Sequence, residues 1–132
     1  MYLLDTNICV FLIRKTRPGL PEIVRKHAPS GLYLSTLTIA ELEYGAARSR
    51  LPQQNRIALL KFALPFTLLP FDQKAAVAYG DLRALLDSHG TPIGPIDTLL
   101  AAQALARDFI FVTDNTREFE RVPGLRVENW GK

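Results

Sequence analysis

Four acidic side chains stand where a folded chain can gather them: Asp5, Glu41, Asp97 and Asp114. Asp5 ends the apolar run YLL, and Asp114 follows FIFVT in the same way. Glu41 lies in a helix-forming segment after LYLST, and Asp97 follows the turn TPIGPI where another helix begins. Carboxylates that converge repel one another, which raises some of their pKa values until a cation relieves the repulsion. Mg²⁺ takes oxygen ligands of this kind, commonly one or two carboxylates with water and substrate phosphate. A site so built activates water, neutralises a scissile phosphate and stabilises the leaving oxygen. The set therefore points to metal-assisted hydrolysis of a phosphodiester, with all four acids as candidate metal ligands.

Each acid also has a purely structural reading. Asp5 can cap the helix that follows it, although its apolar neighbours make an unpaired carboxylate costly. Thr38 with Glu41 three residues later has the form of a capping box. Asp97 can be an N-cap, and Asp114 a turn or cap residue. The chemical reading rests on the set, not on any one member. Other chemistries find less support. His27 and His89 have no metal-ligand spacing such as HExxH, and no GxSxG elbow, phosphate-binding loop or dinucleotide fingerprint occurs. The single cysteine, Cys9, sits in an apolar stretch with no indicated base and reads as a buried structural thiol.

The elements that would position these acids follow from hydrophobic spacing and turn residues. YLL is a short buried strand, followed by a helix from Thr6–Asn7 whose Ile8, Phe11 and Leu12 share one face. RKTRPG breaks it, and Pro18 can open a second short helix holding Ile23 and Val24. LYLST is a second strand after a turn at Ser30–Gly31, and Thr38 begins the helix TIAELEYGAARSR. Pro52 ends or restarts that helix, and QQNRIALLKFAL is another. TLLPF is a third strand, and Asp72 caps a long helix that Gly90 stops. Asp97 opens an Ala- and Leu-rich helix to about Arg107; FIFVT is the clearest strand, rich in aromatic and β-branched residues. A short helix near Arg117–Glu120 and a terminal strand in LRVEN complete the chain. Gly45 and Gly80 fall inside helical patterns at a cost in helix stability, which suggests close backbone packing. Strands alternating with helices across short loops predict a three-layer α/β fold, its mostly parallel sheet covered on both faces. Strand ends then gather the acids at one sheet edge.

At 132 residues, 48% of them hydrophobic, the chain fits a single domain spanning 1–132 that needs no disulfide or structural metal. The net charge is +3, and residues 1–60 hold eight Lys or Arg against four acids. That surplus favours a polyanion or an acidic protein as partner. Arg14, Lys15, Arg17, Arg48, Arg50 and Arg56 are candidate phosphate contacts, and equally read as solvated surface. No targeting segment or membrane-length apolar run is present, so the cytoplasm is the expected compartment.

Over essentially its whole length the chain resembles the VapC-type toxins of the PIN-domain superfamily. The resemblance is carried by LLDTN at the start, LSTLTIAELEYGAARS in the first third, TPIGPIDTLLAAQALA in the last third and FVTDNTREFERVPGLRVENW at the end. It implies an α/β/α fold with an acidic pocket holding Mg²⁺ or Mn²⁺, and endonucleolytic cleavage of RNA, often transfer RNA. It further implies neutralisation by a cognate VapB-like antitoxin, a homodimer, and contact with promoter DNA only through the antitoxin. Carried over by position, Asp5, Glu41 and Asp97 are metal ligands. Asp114 is the obvious fourth carboxylate, while Asn115 stands where many relatives place a polar residue of the metal's surroundings, and Glu118 is one helical turn beyond. Thr6, Asn7 and Thr113 are expected to shape the pocket by hydrogen bonding. Ile96 departs from relatives that carry asparagine before this aspartate, which affects the local orientation of Asp97. Two rivals follow: a non-catalytic RNA- or protein-binding PIN-like protein, and a structure-specific DNA nuclease. The short chain lacks the extra elements of the larger flap-type nucleases, which counts against the latter.

Overall fold

A computed structural model describes residues 1–130. Five short strands form one parallel sheet: β1 (Tyr2–Leu4), β2 (Leu32–Ser35), β3 (Thr67–Leu69), β4 (Ile110–Val112) and β5 (Val127–Glu128), in the order β3-β2-β1-β4-β5. Every pairing is parallel, with Leu3 opposite Tyr33 on one side and Phe111 on the other. The helices are α1 (Thr6–Arg14), α2 (Leu20–His27), α3 (Thr36–Ala47), α4 (Pro52–Ala63), α5 (Gln73–Ser88), α6 (Pro95–Arg107) and α7 (Thr116–Phe119), with a single 3₁₀ turn at Ala28–Ser30. The three-layer α/β/α architecture expected from the alternation is the one present.

Alternation along the strands divides the core in two, because successive side chains point to opposite faces. Leu3 and Phe111 join one cluster with Leu82 and Leu86 of α5, Leu100 and Ala104 of α6, and Phe119 of α7. Leu4, Leu34 and Val112 join the other, with Ile8 and Cys9 of α1, Leu20 of α2 and Trp130. Each fully buried leucine or phenylalanine contributes roughly 1.5–3 kcal/mol. The sheet is thereby clamped from both sides, and the strand ends are held rigidly.

Connections at the C-terminal edge differ from the sequence expectations in ways that bear on the acids. The helix after β2 starts a turn earlier than Thr38: Ser35, the last strand residue, is its N-cap, and its hydroxyl accepts from the Leu37 amide at 3.0 Å. The capping box therefore does not form, and Glu41 lies in the second turn. Similarly α6 begins at Pro95 with Gly94 as N-cap, so Asp97 is the third helical residue and caps nothing. The second helix starts at Leu20 with Pro21, not Pro18, in its first turn. Asp72 caps α5 through the Ala75 amide, and Gly90, at φ +68°, turns the chain away after it. Gly45 and Gly80 do not mark close packing: a Cβ at either would meet nothing within 4 Å, because both face outward.

Ser35→Ala is expected to cost about 1 kcal/mol in urea denaturation through loss of the α3 cap. An unchanged midpoint would return the helix start to Thr38.

Candidate active site

The order β2-β1-β4 places the sheet's switch in winding direction beside β1, and α/β sheets form clefts at such points. Asp5 leaves β1 here without a loop, serving as both strand end and N-cap of α1. Its Oδ1 accepts from the Thr6 amide at 2.7 Å, and its Oδ2 from the Thr113 hydroxyl at 2.7 Å. Only 4% of Asp5 is exposed, which leaves its charge scarcely hydrated. Burial pushes the carboxyl up to about 6; its two hydrogen bonds oppose the rise, and the charges of Asp114 and Glu41 add to it.

Glu41 arrives from the opposite side on α3. The Thr6 hydroxyl donates to its Oε1 at 2.7 Å and lies 3.1 Å from the Thr38 hydroxyl. Thr6 has one proton, and a carboxylate can only accept, so the proton goes to Glu41 and Thr38 donates to Thr6. Freed from capping, Thr38 is fully buried and steadies this link.

Asp97 faces the same cleft from α6. Burial raises its carboxyl to about 7, helped by a hydrogen bond shared with Glu118 and by the charges of Asp5, Glu118 and Glu41. Glu118 is itself tethered: Oε1 accepts from the Gly94 amide at 3.2 Å, and Oε2 from the Asn115 side-chain amide at 2.6 Å. The Asn115 backbone amide donates to Thr113 Oγ1, so one run of bonds links Glu118 to Asp5. Asp114, between them in sequence, has its Oδ1 buried with no hydrogen-bond partner among the described residues.

All four sequence candidates thus reach one end of the sheet, and Glu118 stands with them. Glu118 was readable only as a residue one turn beyond Asp114; its tether to Gly94, 24 residues away, has no local signal. Thr6 and Thr113 hold the pocket as expected, whereas Asn7 is exposed. Ile96 packs against the apolar core instead of the cleft.

Among the described residues, no three His, Cys, Asp or Glu side chains are grouped closely enough to grip an ion. Three of the carboxylates are held by separate tethers: Glu41 by Thr6, Glu118 by Asn115 and Asp5 by Thr113. The donor set nevertheless suits a hard divalent cation, being all oxygen, mutually repulsive, and including the unpartnered buried Asp114 Oδ1.

Comparison with known proteins points the same way. The PIN domain family model matches residues 2–125. The chain is 39% identical over 132 residues to the tRNA(fMet)-specific endonuclease VapC of Salmonella typhimurium, covering 98% of this chain and 97% of that one. To the protein of the same name from Shigella flexneri it is 42% identical over 130 residues, with the same coverage. Among solved structures, VapBC2 of Rickettsia felis bound to a DNA fragment from its promoter superposes with a TM-score of 0.93 at 35% identity, covering 98% of each chain.

The raised carboxyls fix the sign of a pH effect. Between about pH 4, where unfolded aspartates ionise, and pH 6–7, the folded chain holds protons that the unfolded chain has lost. Stability from these groups is full below pH 4 and is lost as pH rises through 7. In EDTA, melting temperature is expected to fall from pH 5 to pH 8, and Asp5→Asn to melt several degrees above the parent at pH 8. A parent that gains stability over that range contradicts the assignment.

Proposed function

The chain belongs to the PIN-domain family and, within it, to the VapC-type toxins, and on that premise we propose that it is a metal-dependent endoribonuclease that cuts transfer RNA and is neutralised by a cognate VapB-like antitoxin. The observation that carries the reading is the convergence of Asp5, Glu41, Asp97 and Asp114 on one cleft at the sheet's switch point, with two of them protonated well above the usual carboxylate range. Such a cluster is poorly stable on its own and well matched to Mg²⁺ or Mn²⁺. Asp5, Glu41, Asp97 and Asp114 are the ligands in this reading, and Glu118 widens the acidic ring beside Asp97.

A divalent cation held there neutralises phosphate charge and lowers the pKa of a water. The protein's part is orientation. Thr113 and the Thr6 amide hold both Asp5 oxygens in place, and Thr6 holds Glu41. Glu118 shares a hydrogen bond with the Asp97 carboxyl and so keeps it beside the other acids, where it would be available to a bound cation. Nearby Arg or Lys offsets charge that develops on the phosphate. The two relatives named for tRNA(fMet) support initiator transfer RNA as the substrate. A homodimer that meets promoter DNA only through its antitoxin is the assembly in this reading, consistent with the promoter-bound VapBC2 complex. No helix is long and apolar enough to cross a membrane among the described residues, in keeping with action in the cytoplasm.

Purified protein incubated with total transfer RNA and Mg²⁺ or Mn²⁺ is expected to give discrete fragments. EDTA should abolish them, and Asp5→Asn should reduce the rate at least a hundredfold while circular dichroism is unchanged. Full activity of Asp5→Asn in excess metal would overturn the ligand assignment.

A further inference from the structure

Five of the basic residues singled out in the first half, all alike as candidates in the sequence, are sorted by their surroundings. Arg56 pairs with Glu43 at 3.3 Å, and Arg17 lies over the Phe11 ring at 4.1 Å. Lys15 forms the left-handed end of α1. Arg14 and Arg48 instead line one groove of about 410 Å³, which starts at Thr6 and Glu41 in the acidic cleft. Neither forms an ion pair among the described residues.

Helical spacing builds this groove. Thr6, Val10 and Ile13 form a stripe along α1 that ends in Arg14. On α3, Glu41, Gly45 and Arg48 form the facing stripe. Leu59 of α4 closes the floor. From Thr6 to Arg14 is roughly 12 Å along the helix, room for about three stacked nucleotides at about 3.4 Å each. Gly45 lines the groove on its open side, where an added Cβ would meet nothing within 4 Å beyond its own helix. Beside the groove, the Arg48 guanidinium sits 5.3 Å from the ring centre of Tyr44, which is 67% exposed.

We propose that this groove is the track for the RNA strand leading away from the scissile phosphate, with Arg14 and Arg48 holding backbone phosphates and the Tyr44–Arg48 pair stacking on a base. The proposal rests on the ribonuclease reading above. Three observations favour RNA over an acidic peptide. The groove is continuous with the reaction cleft, so a strand cut there must run along or across it. Its two arginines, one at the end of each stripe, form no ion pair among the described residues and are left to meet an anionic backbone. The exposed ring with a guanidinium over it is a surface suited to sequence-tolerant base stacking.

The test uses end-labelled tRNA(fMet) and protein carrying Asp5→Asn so that no strand is cut, with fluorescence anisotropy read over a series of KCl concentrations. Joint Arg14→Ala and Arg48→Ala substitution is expected to weaken binding tenfold or more. It should also flatten the slope of log affinity against log salt by about 1.4, or about 0.7 for each single-strand phosphate that is no longer neutralised. Tyr44→Leu should weaken binding roughly tenfold with the slope unchanged. Gly45→Leu fills the groove and replaces a helix glycine, so it should melt no lower than the parent yet lose RNA affinity to a similar extent. With Asp5 intact, none of these changes should alter Mn²⁺ binding in calorimetry. If the parent binds and the variants match it in affinity and slope, the groove assignment falls and the nuclease reading stands. If the parent does not bind tRNA(fMet), both fall. Variants that bind RNA normally and lose only the antitoxin would make the groove a protein-docking surface and overturn the proposal.

Discussion

Negative charge confined to a small dry space is the constraint on which the rest of this structure depends. Asp5 is nearly sealed from water, yet it sits within electrostatic reach of Asp114 and Glu41, while Asp97 feels Asp5, Glu41 and Glu118. Repulsion of this kind would splay flexible side chains into solvent. It is contained because Asp5, Glu41 and Glu118 have fixed donors and Asp97 shares a proton with Glu118, and because the donors belong to rigid elements. Thr113 ends the strand beside β1, Thr6 opens α1, and Asn115 begins the turn into α7. The two core clusters clamp the sheet from both faces, so these donors cannot drift to relieve the strain. The cleft is held with its carboxyl charges close together and partly protonated.

The hydrogen-bond pattern also separates the acids by how firmly they are placed. Asp5 has both oxygens engaged, by the Thr6 backbone amide and the Thr113 hydroxyl, and it directly follows β1, which fixes its position. Glu41 and Glu118 are longer and are held by single side-chain links from Thr6 and Asn115, with one backbone amide added for Glu118. Glu41 can therefore reorient by exchanging one hydrogen bond and Glu118 by exchanging two, while Asp5 is the fixed point of the cleft. Preorganised at its centre and adjustable at its margin, such a pocket accommodates changes in coordination without moving its elements.

Much of the fold is legible in the chain itself. Strand and helix order follows from short apolar runs, helical spacing and turn residues, and FIFVT, rich in aromatic and β-branched residues, is the plainest strand. Helix starts are less legible, because competing caps stand close together. Ser35 and Thr38 both satisfy the chemistry of a cap; Ser35 wins because β2 runs directly into α3, with Ser35 in extended backbone at the junction. That shift of one turn decides whether Glu41 serves its own helix or the cleft. Asp97 follows the same logic, displaced from the cap position by Gly94–Pro95. Glu118 is hardest to place, since its partners come from α6 and from a side chain three residues back, and no periodicity reports a contact of that kind.

The parallel order has a consequence in time. β1 is made well before β4, yet as the central strand it is flanked by β4, and the Thr113 hydroxyl that fixes Asp5 lies 108 residues later. Parallel pairing of such distant segments cannot be replaced by local contacts. During synthesis Asp5 and Glu41 are present for most of the chain's emergence, while Asp97, Asp114 and Glu118 are still to come. A chain that has reached only α5 therefore carries Asp5 and Glu41 without their partners, and the acidic cluster assembles only once α6, β4 and α7 have joined it.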